Sequence, residues 1–279
     1  MCDARPTAAW RVMVSLPAPH CDSVLIVKGD QLCAEMIRRI ARTVFPEADI
    51  ATFTSLRPAA RVLRERKIAL LIVGAGPSLE GDTLDFLANC TAELNSAKQI
   101  LVVTAHCENR VLAELRKLSI AGVFDSRCEG PGRLKGVLRT IADGRGYWSP
   151  TFLERLSRYH LGPQAVFCQL TAFEQIVLAI LGDGSDDATA ADELGISVET
   201  VATVRRDLHR KLGVQHRGEL MRLAAQNGFV RFTAGGVVRP GLMALSSRYY
   251  SQRRKRAGTP LFLRRNREPA MDHEETFAG

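Results

Sequence analysis

The stretch Ser197–Leu212, SVETVATVRRDLHRKL, decides how the C-terminal half of the chain reads. At helical spacing Val201, Val204, Leu208 and Leu212 fall on one side, and Glu199, Thr203, Arg206 and Arg210 on the other. Such a helix buries one stripe and turns a long, Arg-bearing polar face outward. Just before it, ATAADELGIS (188–197) reads as a short Ala-rich helix that ends at Gly195, where a left-handed C-cap fits. Ser197 then supplies the N-cap oxygen of the next helix. Two helices joined by a tight Gly-containing turn, the second basic on its free face, form the helix-turn-helix arrangement that places a helix in the DNA major groove.

Working outward, the pattern predicts four helices at 172–182, 187–194, 197–212 and 217–227. These helices resemble the DNA-binding domain of the LuxR/FixJ (NarL-type) family. The resemblance rests on LTAFEQIVL (170–178), Gly184, LGIS (194–197), TVATVRR (200–206), KLGV (211–214) and RGEL (217–220). It implies base-reading positions at Ala202, Thr203 and Arg206, and phosphate-contacting positions at Thr200, Arg205, Arg210 and Lys211. Arg206 is the first choice for a base contact, because a guanidinium bonds bidentately to guanine O6 and N7. The resemblance also implies a homodimer using Glu219–Asn227 and an inverted-repeat site on double-stranded DNA. This chain departs from the family at Ala202, which replaces a basic residue, and at Val204, which replaces a histidine. Asp187-Ala188 stands for an Asn-Lys pair, beside Asp183 and Asp186. Carboxylates so placed lower the affinity for a phosphate backbone.

The N-terminal half alternates short apolar runs with helical patterns. Strands are predicted at 23–28, 48–53, 68–74, 99–105 and 120–125, and helices at 31–45, 56–67, 83–94, 109–118 and 132–143. In the first helix Leu32, Met36, Ile37 and Ile40 share the face expected to be buried. Strands that are apolar throughout need cover on both faces, so the expected class is α/β: a flavodoxin-like (βα)5 unit followed by an all-α four-helix domain. With VLIV, VVTA, AG and GRGYWSP at matching places, the unit is similar to a response-regulator receiver domain. Receiver chemistry requires an acidic pair for Mg²⁺, an Asp acceptor, a Thr or Ser, and a Lys. Here those positions read Lys28-Gly29, Gly74 (Ala75 one step along), Thr104, and Ser126 beside Arg127. Asp30 reads as the N-cap of the first helix, and Asp125 points away from the pocket. Aspartyl-phosphate signalling is therefore not expected. Lys28 either holds one conformation or binds an anion where Mg²⁺ would sit, or is a plain surface lysine. The glycines of VGAGPS (73–78) follow the third strand rather than the first, so the nucleotide-binding fingerprint fails for lack of context.

Formal net charge is +8 with a pI near 9.4, which favours a polyanionic partner. From Arg231 onward ten basic side chains face four acidic ones, so most of the surplus lies at the C-terminal end. The expected organisation is a leader over 1–21, a receiver-like domain over 22–144, a linker over 145–168, the helix-turn-helix domain over 169–232, and a basic, mainly disordered tail over 233–279. Arg253–Arg256 in that tail is a possible auxiliary DNA contact or a solvated end. Seven scattered cysteines without a CxxC pair indicate a reducing compartment with neither zinc site nor disulfide framework. No apolar run reaches membrane-spanning length, and the N-terminus makes a poor signal peptide, so a cytoplasmic protein with no membrane partner is expected. His106, His160, His209 and His216 share no ligand spacing, no cofactor or metal is expected, and no catalytic constellation can be assembled.

Together these features imply a DNA-binding transcriptional regulator, an atypical response regulator acting without aspartyl phosphorylation. Its input is then protein level, a small ligand, or a regulatory protein docked on the receiver-like domain. The competing reading is a protein-interaction adaptor or anti-activator whose helix-turn-helix binds DNA weakly.

Overall fold

The run IALLIV forms β3 (Ile68–Val73), with five of its six residues buried, which only a central strand covered on both faces achieves. The computed structural model describes residues 21–257, except 77–78, 80, 92–96, 106–107, 163 and 234. The leader over 1–20, residues 258–279, Cys2, His106, Cys107, two residues of VGAGPS and the side chains of Arg253–Arg256 lie outside the described residues.

Around β3 run β1 (Ser23–Val27), β2 (Asp49–Phe53), β4 (Ala97–Thr104) and β5 (Gly122–Asp125), all parallel, in the order β2-β1-β3-β4-β5. The register pairs Val27 with Val73, Val73 with Val102, and Thr104 with Asp125. Lys28, Gly74, Thr104 and Ser126 therefore meet at the carboxyl ends of the strands, beside the switch point where such sheets place their sites.

Helices α1 (Gln31–Val44) and α5 (Pro131–Ala142) cover one face, burying Ile37, Val44, Leu134 and Leu138 against Ile26, Leu101 and Phe124. Helices α2 (Leu56–Glu65), α3 (Thr83–Asn89) and α4 (Asn109–Leu115) cover the other. Asp30 caps α1 as expected, accepting from the Cys33 amide at 2.9 Å. The buried stripe of α1 differs from the expected one: it is Ala34, Ile37, Ala41 and Val44, while Leu32 and Met36 are 80% and 42% exposed. Small alanines let α1 sit close to the sheet, and the bulkier side chains turn outward.

The expected linker is largely folded. Tyr147–Trp148 (β6) adds a sixth parallel strand beside β5. A Cβ at Gly122 would stand 1.6 Å from the Tyr147 carbonyl oxygen, so β5 accepts this neighbour because residue 122 is glycine. Helix α6 (Pro150–Leu161) then buries Phe152, Leu156 and Tyr159, and a short turn, α7 (Ala165–Cys168), buries Phe167. The four anticipated helices follow as α8 (Ala172–Leu181), α9 (Asp187–Leu194), α10 (Val198–Leu212) and α11 (Arg217–Gln226).

The tail is corrected most. From residue 231 the chain forms a hairpin, β7 (Arg231–Thr233) with β8 (Gly236–Val238), then α12 (Leu242–Ala257), which packs on both α3 and α8. Composition predicted disorder because it weighs arginines without their partners. Arg231 pairs with Glu108 at 2.6 Å, Arg248 with Glu114 at 2.7 Å, and Arg239 with Asp183 and Glu193. The amides of Met243 and Ala244 donate to Asp85 at 3.3 and 2.7 Å. At the centre of this seam Arg110 is buried under Phe229, its guanidinium 4.6 Å from the ring centroid, donating to the carbonyls of Gly228 at 3.1 Å and Pro240 at 2.7 Å. One continuous apolar core consequently runs from Leu84 and Leu112 of the receiver-like unit to Ile176, Phe229 and Leu245.

Candidate nucleic-acid interface and receiver pocket

The turn that presents α10 is built as its residues dictate. Asp186 caps α9, accepting from the Thr189 amide at 2.7 Å, and Gly195 ends α9 at φ 64°, a left-handed conformation that suits glycine. Ser197 caps α10, accepting from the Thr200 amide at 3.2 Å. Val201 and Leu208 are buried, and Val204 and Leu212 pack against the same core. The stripe assignment holds.

Opposite it, Glu199, Thr200, Thr203, Arg206, Arg210 and Lys211 are exposed, while Ala202 and Arg205 are half-buried. The cations of this helix differ sharply in their partners. Arg205 grips Asp187 through Nε, 2.9 and 3.1 Å from its two carboxylate oxygens, and through Nη2 at 2.9 Å. Lys211 donates to both oxygens of Glu174 at 2.7 and 2.9 Å. Glu174 also closes a capping box on Thr171 at the start of α8, and despite partial burial Lys211 and Thr171 hold its carboxyl below the usual range. Arg210 reaches Asp207 one turn back at 2.8 Å, with both partners well exposed. Among the described residues Arg206 has no carboxylate in ion-pair reach; it leans on the Ala202 carbonyl at 3.3 Å and the Thr203 hydroxyl at 3.1 Å. Thr203 itself donates to the Glu199 carbonyl at 2.8 Å, and the Thr200 hydroxyl meets that of Ser197 at 3.0 Å. Glu174 and Asp187, the countercharges, were not singled out as partners from sequence; Glu174 carried the signal of a capping box three residues after Thr171.

Of the expected dimerisation segment, Leu220, Ala224 and Asn227 are buried within the protomer, leaving Arg222 and Gln226 exposed.

At the strand ends, the Lys28 side chain lies across the position from which an acceptor Asp would project. A Cβ at Gly74 would stand 3.0 Å from Lys28 Cδ and 3.5 Å from Nζ. The Lys28 ammonium donates to the Val103 carbonyl at 3.3 Å, and burial pulls its pKa down. Thr104 is buried and donates to the Ala75 carbonyl at 2.8 Å. Ser126 and Arg127 are exposed, and Asp125 is fully buried, accepting from the Arg127 amide at 3.0 Å and the Thr151 hydroxyl at 2.9 Å. A divalent cation does not fit this donor set: an ammonium occupies the pocket and Asp125 is bound elsewhere. Among the described residues no helix is long and apolar enough to cross a membrane.

Comparison with known proteins agrees with this architecture. Residues 168–224 match the family of bacterial regulatory proteins of the luxR type. The response regulator UvrY of Escherichia coli K12 is 21% identical over 211 residues, covering 74% of this chain and 94% of that protein. The transcriptional regulatory protein UhpA of the same strain is 28% identical over 174 residues, covering 62% of this chain and 82% of that protein. Among solved structures, two RcsB dimers bound to two parallel DNAs superpose with a TM-score of 0.51 at 18% identity, covering 74% of this chain and 99% of that one. RcsB from Salmonella enterica serovar Typhimurium bound to promoter P1flhDC with the phosphomimetic BeF3⁻ gives 0.50 at 19% identity, with the same coverage. Residues 168–224, which hold the C-terminal helices, thus match the luxR-type helix-turn-helix family, and the chain as a whole is similar to response regulators in which a receiver precedes such a domain.

Proposed function

We propose that this chain regulates transcription by binding double-stranded DNA through α10, and that its receiver unit works without aspartyl phosphorylation. What supports DNA binding most is Arg206: an exposed guanidinium in the middle of a rigidly capped helix, the one cation of that helix without a carboxylate partner among the described residues. Thr203, one turn away and also exposed, completes a base-facing pair. The outer face of α11, with Arg222 and Gln226, is the proposed homodimer contact, which would read an inverted repeat. Lys28 lying over Gly74 supports the second half, since both the acceptor carboxylate and the metal site are replaced.

The experiment is selection of bound sequences from random duplex DNA by the full-length protein, followed by affinity measurements for Arg206→Glu. A palindromic motif is expected, with specific binding about a thousandfold or more above background and lost in the variant. A parallel incubation with acetyl phosphate is expected to leave the mass unchanged. If no motif emerges, an adaptor or anti-activator role gains ground; the pairing of Arg205, Arg210 and Lys211 with carboxylates favours that second reading.

A further inference from the structure

Between α1, α5 and the loop after β5 lies a cavity of about 200 Å³. Its floor is apolar: Ile37, Val103, Phe124 and Leu134 line it, each no more than 4% exposed. Lys28 enters it from the strand end, Arg127 lines its rim, and the thiols of Cys33 and Cys128 border it.

The charge inside is unbalanced. An ammonium carries three donors, and Lys28 spends one, on the Val103 carbonyl at 3.3 Å. Neither Lys28 nor Arg127 has a carboxylate in ion-pair reach among the described residues. Glu129, which also lines the cavity, meets Tyr147 and Arg133 through Oε2 alone and leaves its buried Oε1 without a hydrogen-bond partner among those residues, so the lining sets two cations against one carboxylate. A half-buried, underbonded cation at one end of an apolar chamber fits an anion with an apolar body.

We infer that this cavity binds a small amphiphilic carboxylate, its head on Lys28 and its hydrocarbon part among Phe124, Leu134 and Ile40. A carboxylate suits the site better than a phosphate dianion. At the buried end one ammonium compensates the desolvation of a single negative charge, whereas Arg127 is exposed at the rim and the Glu129 carboxylate repels a second. The volume is below the ~300–1,000 Å³ usual for drug-sized ligands, which limits the occupant to a compact acid. The inference rests on a receiver freed from phosphorylation; the titration below contains no DNA, so its outcome is independent of whether α10 binds DNA.

The test uses the full-length protein and three probes of equal chain length: octanoate, octanol and octylammonium, titrated by calorimetry. Octanoate is expected to bind saturably and octylammonium not at all. Lys28→Met is expected to weaken octanoate about tenfold or more, the loss of one charge-assisted hydrogen bond, while leaving octanol unchanged. Ile40→Trp, which fills the chamber without touching the charge, is expected to abolish both; melting curves of both variants check that they fold. Octanoate should also slow alkylation of Cys33 and Cys128 but not of the exposed Cys168, which lies outside the cavity. Equal binding of octylammonium, unchanged octanoate affinity in Lys28→Met, or a flat titration of the wild type would overturn the proposal.

Discussion

Removing one negative charge from α9 should tighten DNA binding. Asp187 holds Arg205 in a forked pair whose members are 33% and 22% exposed on the arginine and aspartate sides, so the guanidinium is partly shielded and already neutralised. Arg205 stands at a phosphate-contacting position by resemblance, and a phosphate must compete with that carboxylate. Asp187→Asn keeps the shape and one acceptor but drops the charge. One additional phosphate neutralised adds about −0.9 to the slope of log affinity against log salt, or about 3.5-fold more loss between 50 and 200 mM salt. At the lower salt the gain should be on the order of tenfold, the scale of one charge-assisted Arg–phosphate contact. The stability cost is small, below about 1 kcal/mol, since the pair is only partly buried. Fluorescence anisotropy with the selected duplex at several salt concentrations reads both quantities, and Arg205→Ala serves as the converse variant. Were Asp187→Asn to bind no tighter and with an unchanged slope, Arg205 would be a strut between α9 and α10, and the competition between carboxylate and phosphate would be refuted.

Substituting Arg206 by Ala should cost about 1–3 kcal/mol on the preferred duplex and relax the preference at one base position per half-site; competition against single-base variants of the site measures this. Arg110→Met should destabilise the protein by about 2–4 kcal/mol in urea melts, because two seam carbonyls lose a charged donor in a buried setting; an unchanged midpoint would show the seam to be dispensable. Asp85 is pushed up to about 6 by burial and by the neighbouring Asp82 charge, against the hydrogen bonds from Ala244 and Met243. Its folded pKa exceeds the unfolded value of about 3.9, so the native state takes up a proton that the unfolded chain has released. The contribution is fully present below about 4 and is lost as pH rises through 6. The difference in urea midpoint between wild type and Asp85→Asn should therefore move in favour of the wild type as pH falls from 7.5 to 5, and a flat or inverted difference counts against it.

Much of this molecule was legible in its sequence, for identifiable reasons. The strands of the sheet's centre are apolar throughout, a pattern with few other uses, and α10 carries an unbroken stripe between a Ser cap and a Gly stop. The strand-end positions of Lys28, Gly74, Thr104 and Ser126 could be located because each follows an apolar run whose end is plain in the sequence. Three things could not be read. Leu32 and Met36 look like core residues by spacing, yet alanines at 34 and 41 let α1 approach the sheet on a rotated face. Strand β6 is two residues long, too short for any period to register. The seam depends on pairs separated by more than fifty positions, as Arg239 is from Asp183, and composition alone assigns such arginines to solvent.

That seam changes what the receiver unit can do to the DNA-binding domain. A flexible linker would let the two move independently, so that a change at the strand ends would stay local. Here α4 supplies Arg110 and Glu114 to the C-terminal extension, and Glu108 at its N-terminus holds Arg231, while α12 lies across α3 and α8 at once. Any displacement of α4 must either carry Phe229 and the carbonyls of Gly228 and Pro240 with it or leave a buried guanidinium unpaired, which is costly. Helix α8 in turn fixes α10 through Lys211 and Glu174. The contacts that join the receiver unit to α10 therefore run from Arg110 and Glu114 of α4 to the C-terminal extension, and from α12 through α8. Arg110→Met should for this reason alter DNA affinity as well as stability, although its side chain lies on the receiver's own α4.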